Sequence, residues 1–536
     1  MQTRTVTATR ARSLGVRAMF KEPAIRVPSL VRLREIAQDT GLDVPESDLG
    51  SYQKAISTIL ADTYQRLYEL PDPKLPVKYP RTPGYRPSPE DNPYNAWFWR
   101  CNIQGASRGK LHGKTVAIKD NTCIAGLPLM NGSQLLEGFI SDTDATVVTR
   151  ILDAGGRIIG KAACENLSYD AGSFTSVTGP VLNPYNCKRM AYGSSSGSAA
   201  LVAGGHVDMA LGGDQGGSIR MPAAACGIVG LKPTYGLVPY TGIMQMEFTL
   251  DHVGPMARTV YDTALMLEVI AGLDGDLDPR QPRDLYIDET YTSKLSGEIS
   301  HLKLGILKEG FGLFSSEPDV DKLVRKAADH LGSASGAVVE DVSVAMHYEG
   351  ASILQGICAE GVTRAIFGAG FGTNSKMYYD STLHEAFSRG LKTHLNDLPI
   401  TIKKDILLGR FLLTEYNGTF YSKSQNLGRE LCRAYDKVLE DYDVLLMPTI
   451  PKKAQSFPPV KLSIADYLRK VSYIGLNTAP FNVTGHPALS INAGFSDGLP
   501  VGMMIVGRKF DEATVLNVAY AYEKIRHAED NICLTE

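Results

Sequence analysis

A chain of 536 residues with 43% hydrophobic and 21% charged residues has the material for a large buried core and the balance of a soluble globular protein. Its formal net charge of −3 gives no electrostatic case for nucleic acid or an anionic membrane as partner, and no apolar run approaches the roughly 18 residues of a spanning helix. Eight cysteines, at 101, 123, 164, 187, 226, 358, 432 and 533, show no CxxC and no paired short spacing, which speaks against a disulfide framework or zinc motif and for reduced thiols in a cytoplasmic setting.

In chain order, residues 1–21 carry Arg4, Arg10, Arg12, Arg17 and Lys21 and no acidic residue. They predict a disordered leader; the alternative is a transit peptide, which would move the protein from cytoplasm to mitochondrion. From Ser29, Leu30, Leu33, Ile36 and Ala37 recur at helical spacing until Gly41 stops them, and a second helix is predicted from Ser47 or Asp48 through Ile56, Ile59, Leu60, Tyr64 and Leu67. Such a helix pair buries little alone, so residues 22–70 are expected to form a small helical domain that pairs with a second copy in a homodimer. Eight prolines from Pro71 to Pro93 predict an extended linker over 71–93, which leaves 94–536 as the catalytic domain.

Within that domain, Thr115, Ala117 and Lys119 share one side of a predicted strand, and Val116 and Ile118 the other. Residues 144–160 predict a helix over Val147, Val148, Ile151 and Leu152, a stop at Gly155 and Gly156, and a strand. Helices predicted over 261–270, 318–331 and 511–525 alternate with strands over 302–307, 443–447 and 501–506, which argues for a large α/β sheet covered by helices. The stretch from about 274 to 441 is the least patterned and is expected to supply the walls of a site.

The chemistry concentrates between Ala191 and Pro222, where two glycine-framed serine clusters, 193–197 and 212–218, flank SAALVAGG and HVDMALGG. Glycine at this density implies backbone at positive φ or in close approach to another group, and a run of exposed N–H groups can hold a developing oxyanion. Ser218, following Gly216 and Gly217, suits a nucleophile. The GSSSG at 193–197 also fits a nucleophile elbow centred on Ser195, with His206, His252 or His486 as base, but the elbow needs a preceding strand and Asn186–Met190 reads as a poor one.

On VAIKDN (116–121), AGLPLMNGS (125–133), DATVVTRILDAGG (144–156), TGPVLNPYN (178–186), YGSSSGSAA (192–200), GGDQGGSIRMPAAACGIVGLKPTYG (212–236), DHVGPMART (251–259), NTAPFNVTGHPALSI (477–491) and GLPVGMMIVG (498–507), the chain resembles the amidase signature family of serine hydrolases. It is most similar to the bacterial amidases that act after nitrile hydratase. The resemblance implies an α/β fold with a large mixed β-sheet covered by helices on both sides. It also implies hydrolysis of small aliphatic or aromatic amides to acid and ammonia without metal or cofactor. Carried over residue by residue, Ser218 resembles the acyl-forming nucleophile, Ser194 the bridging serine that follows a cis peptide bond at Gly193, and Lys119 the base. Gln215, Gly216, Gly217 and Ser218 would supply the oxyanion N–H groups, Asp214 and Arg220 a pair that braces their loop, and Phe174 a wall of the acyl pocket.

Histidine has no part in such a site, and Ser195 and Ser196 become loop hydrogen-bonders. Tyr192 stands where the family has the first glycine of Gly-Gly-Ser-Ser-Gly-Gly, and Ser196 replaces a later one. A lysine base makes a physical demand: an unperturbed amine, with a pKa near 10.4, is neutral in only about four molecules in ten thousand at pH 7, so burial must lower it. Carbamate esters as substrate, the amidase subunit of a tRNA-dependent amidotransferase, and a non-catalytic binding protein of the same fold are the alternative expectations.

Overall fold

The computed structural model describes residues 25–284, 290–368, 375–459 and 461–533; the basic leader lies outside them. The chain divides after Lys74 into two units. In the first, Ser29 caps the helix Leu30–Thr40 by accepting from Arg32 N, and Gly41 ends it at a φ of 72°. A second helix, Glu46–Ile59, continues through a wide turn, Leu60–Tyr64, into Gln65–Glu69. Among the described residues of this unit only Ala37 and Leu49 are buried apolar residues, while Leu42, Ile59, Leu67 and Tyr68 are exposed.

The second unit opens on the proline-rich segment, which is fastened along its length. Lys78 pairs with Asp153 at 2.6 Å, Arg81 with Asp144 at 2.6 Å, and Tyr85 bridges to Arg100. Among the described residues thirteen strands follow: β1 Trp97–Gln104, β2 Thr115–Lys119, β3 Arg157–Ala162, β4 Leu182–Asn183, β5 Asn186–Met190, β6 Met209–Asp214, β7 Val229–Lys232, β8 His252–Ala257, β9 Lys303–Leu307, β10 Val338–Val342, β11 Val444–Pro448, β12 Ala488–Ser496 and β13 Leu499–Gly507. Eleven form one mixed sheet in the order β1-β3-β2-β6-β8-β7-β12-β13-β11-β9-β10, and β4 and β5 form a separate hairpin. Asn186–Met190 is thus a strand after all, despite its polar sequence. It is held by its hairpin partner and by a bridge from Arg189 to Ser456 instead of by the main sheet.

Alternation along the strands builds two apolar layers. Val444 and Leu446 of β11, with Met503 and Ile505 of β13, enter one core with the helices Val260–Ile270, Pro318–Ser335 and Glu512–Cys533. Leu445, Met447, Met504 and Val506 enter the other, with Gly350–Phe367, Ile400–Tyr416 and Thr419–Val438. Large mixed sheet, helices on both faces: the α/β architecture is as expected. The sparsely patterned middle of the chain supplies those last three helices. Among the described residues no helix is long and apolar enough to cross a membrane.

Candidate active site

Three segments converge at the C-terminal ends of β2 and β6. Lys119 is the last residue of β2, and Asp214 the last of β6, after which the chain turns through Gln215-Gly216-Gly217-Ser218 into the helix Arg220–Ala225. The other serine cluster precedes the helix Ser196–Ala203, and the Gly193–Ser194 peptide is cis, as the resemblance implies. A Cβ on Gly193 would lie 2.7 Å from Glu165 Cγ, so glycine is needed there for space. Ser195 N donates to Ser218 O at 3.2 Å, which ties the two serine loops together.

Lys119 has no solvent exposure, and its Nζ lies 2.8 Å from Ser194 Oγ and 3.3 Å from Gly213 O. Among the described residues no carboxylate forms an ion pair with it. Burial pulls its pKa down to about 8, against a weaker upward pull from Cys164, Asp214, Glu165 and Asp251. Glu165 lies nearby without exposure; burial first, then the charge of Asp170, pushes its carboxyl up, so its negative charge on Lys119 is reduced.

Asp214 organises the loop that carries Ser218. Its carboxylate accepts from Gly217 N at 2.8 Å, from Ile219 N at 3.1 Å, and from Arg220 Nε and Nη2 at 3.0 and 3.1 Å. Asn482 closes the network, donating to Asp214 Oδ1 at 2.8 Å and accepting from Arg220 Nη2 at 2.7 Å. Burial opposes the charge on Asp214, yet Arg220, Lys232 and Asn482 hold its carboxyl well below the usual range. Asp214 and Arg220 are thus bonded to each other and to the loop, together with Asn482 and Thr478, which donates to Gly216 O at 2.6 Å and which sequence reasoning missed.

One expected donor is committed elsewhere. The N–H of Gly217 already serves Asp214, and its φ of 134°, with Thr478 Oγ1 only 2.3 Å from where a Cβ would stand, reserves the position for glycine. The amides of Gln215, Gly216 and Ser218 meet no acceptor among the described residues. These three residues line a cavity of about 850 Å³. The Gln215 side chain donates to Tyr240 Oη at 2.9 Å, and its Oε1 is buried without a partner. Other walls come from Tyr169 and Asp170, from Leu354 and Cys358, and from Thr401, Lys404 and Asp405. The last seven had no local signal in the sequence, though five of them fall in the stretch expected to supply walls.

Phe174 does not line this cavity. Its ring packs edge-on against Tyr467 at 5.5 Å. Tyr192 occupies its glycine-like position at a φ of 55°, fully buried, with its hydroxyl donating to Lys453 O at 3.1 Å, so it shapes the core behind the loop. Ser195 Oγ is engaged with Gly213 on both sides, donating to its O at 3.0 Å and accepting from its N at 3.1 Å. Ser196 differs from expectation: its Oγ is buried and finds no partner. The elbow reading gains its preceding strand, but the Ser195 hydroxyl is bonded to Gly213 and, among the described residues, to no histidine. His252 is bonded to Leu250 O, His486 to Asp436 and Thr484, and the ring of His206 packs on Tyr94.

The amidase family profile matches residues 98–516. An enantioselective amidase of Rhodococcus rhodochrous is 44% identical over 92% of this chain and 93% of its own length. The chain belongs to the amidase family. It is a hydrolase of carbon–nitrogen bonds other than peptide bonds. A second relative, a glutamyl-tRNA(Gln) amidotransferase subunit of Methanosarcina acetivorans, is 37% identical over 79% of this chain and 87% of its own. The crystal structure of a Thermotoga maritima glutamyl-tRNA(Gln) amidotransferase subunit superposes with a TM-score of 0.66 at 30% identity, covering 81% of this chain and 88% of that one.

Proposed function

We propose that this amidase hydrolyses small aliphatic or aromatic amides through an ester on Ser218, with Ser194 as proton bridge and Lys119 as base. The observation that carries the reading is the uncompensated burial of Lys119 at 2.8 Å from Ser194 Oγ. A neutral amine there takes the Ser194 proton while Ser194 takes that of Ser218, and the Ser218 oxygen attacks the carbonyl carbon. The oxyanion forms against the N–H groups of Gln215, Gly216 and Ser218. The proton returns by the same relay to the departing ammonia, leaving the acyl ester. Water then attacks the ester, giving its proton to the relay, which returns it to the Ser218 oxygen as the acyl–oxygen bond breaks and the acid leaves.

The test is ammonia release by the purified chain, without ATP or tRNA, from acetamide, propionamide, benzamide and ethyl carbamate, beside Ser218→Ala. Turnover of the amides supports the proposal. Cleavage of ethyl carbamate alone supports carbamate ester hydrolysis instead. Dependence on further protein components and tRNA supports the amidotransferase reading, which the amidotransferase relatives favour.

We also infer a homodimer through the N-terminal helices, supported by the exposed Leu42, Ile59, Leu67 and Tyr68, and a cytoplasmic setting, supported by the free cysteines among the described residues. Loss of dimer mass in sedimentation of a Leu67→Glu, Tyr68→Glu variant checks the first.

A further inference from the structure

Cys432 and Asp436 lie one turn apart on the helix Thr419–Val438, and His486 meets them from the turn that enters β12. Cys432 Sγ is 3.4 Å from Asp436 Oδ2, His486 Nε2 is 2.9 Å from Asp436 Oδ1, and one ligand atom from each residue lies within 4.8 Å of the other two. Zinc bonds of about 2.0 Å to oxygen and nitrogen and about 2.3 Å to sulfur make tetrahedral edges of roughly 3.3 to 3.6 Å, so small side-chain adjustments suffice to seat an ion. His486 is fully buried, and its other ring nitrogen is held by Thr484 Oγ1 at 2.9 Å, the arrangement that fixes ring orientation and leaves Nε2 for a metal.

A cation already stands beside this cluster. Lys509 Nζ lies 2.7 Å from Cys432 Sγ, on a half-buried side chain whose four-carbon stem can swing its ammonium outward. An ammonium and a divalent ion repel strongly at such separations, so the two compete.

We propose that Cys432, Asp436 and His486 form a binding site for a thiophilic divalent cation of the zinc class, outside the catalytic centre, with Lys509 as its internal competitor. A thiolate, an imidazole and a carboxylate favour zinc or cobalt over calcium or magnesium. Entry of the ion costs the Cys432 proton and displaces Lys509. Paired-cysteine spacing cannot reveal the site, because it uses a single cysteine. The site also touches the active-site brace: Thr484 ends the helix Ala479–Thr484, from which Asn482 holds Asp214.

The experiment uses tag-free full-length protein, reduced, stripped with a chelator and titrated with Co²⁺. One equivalent should bind with a thiolate-to-cobalt absorption band. Cys432→Ser should abolish the band, and Asp436→Asn, at a half-exposed ligand that spares the buried His486, should weaken binding at least about tenfold. Lys509→Met should tighten binding by about tenfold. Absence of the band, its survival in Cys432→Ser, or affinity unmoved by Lys509→Met overturns the proposal.

Discussion

Lys119 and Lys161 lie one register step apart on the parallel strands β2 and β3, where Lys161 pairs with Ile118 and Lys119 with Ala162; both are without solvent exposure, yet among the described residues only Lys161 meets a counter-charge. Lys161 Nζ meets Asp120 at 2.7 Å and Pro128 O at 2.9 Å, so its charge is matched. Lys119 meets a hydroxyl and a carbonyl, and burial without a counter-charge pulls it down to about 8. A third buried lysine, Lys232, sharpens the lesson. Burial, then the charge of Arg220, hold it well below its ordinary range, but its Nζ donates to Pro233 O and it touches neither serine. Uncompensated burial lowers a lysine's pKa; in the mechanism we propose, contact with Ser194 is what sets Lys119 apart as the base.

The largest effect should come from removing the reacting groups. Ser218→Ala and Lys119→Ala should each cost kcat several orders of magnitude, while circular dichroism and the unfolding midpoint show a folded protein. Lys161→Met should behave in the opposite way, leaving Asp120 buried and unpaired at a cost of about 3–5 kcal/mol in stability, read from urea denaturation. An Lys161 variant with native stability and lost activity would erase the contrast.

Lys119→Met gives a smaller effect of opposite sign. Its lowered pKa means that the folded state resists the ammonium: the penalty is fully present below about pH 8 and fades as pH rises toward the ordinary lysine value. Relief of that penalty, up to about 3 kcal/mol before the lost hydrogen bonds are subtracted, should raise the urea midpoint at pH 6.5, and the gain should vanish by pH 10.5. The smallest pair concerns the loop serines. Ser195→Ala breaks both bonds to Gly213 and should destabilise by about 1–2 kcal/mol, whereas Ser196→Ala removes a hydroxyl that has no partner and should be neutral or slightly stabilising.

Lys119, Ser194 and Ser218 are legible in the sequence because glycine marks the backbone that carries the two serines, and because the flanking motifs run in order along the chain. Strands such as β9, β11 and β13 are legible for a simpler reason: they are apolar runs of strand length. The helix Gly350–Phe367 is not, since it is buried on more than one side and loses the one-sided stripe that announces a surface helix; Ile400–Tyr416 is not because its single buried face carries Thr401, Asp405 and Gly409 beside Ile402, while Leu407 and Phe411 are exposed. Polar β5 is a strand only because its hairpin partner makes it one. Asn482 lies within a motif that marks the family, but its bond to Asp214 spans 268 residues and nothing local announces it. The commitment of the Gly217 amide is likewise a matter of φ, which sequence does not display.

The central claim is that a neutral Lys119 drives acylation of Ser218. Its most direct test is the pre-steady-state rate of acyl-enzyme formation between pH 5 and 10, measured with a chromogenic anilide for which chemistry limits the rate. The rate should climb with pH, reach half its plateau near pH 8, and lose that dependence in Lys119→Ala. A flat profile, or the same rise surviving in Lys119→Ala, would contradict the account.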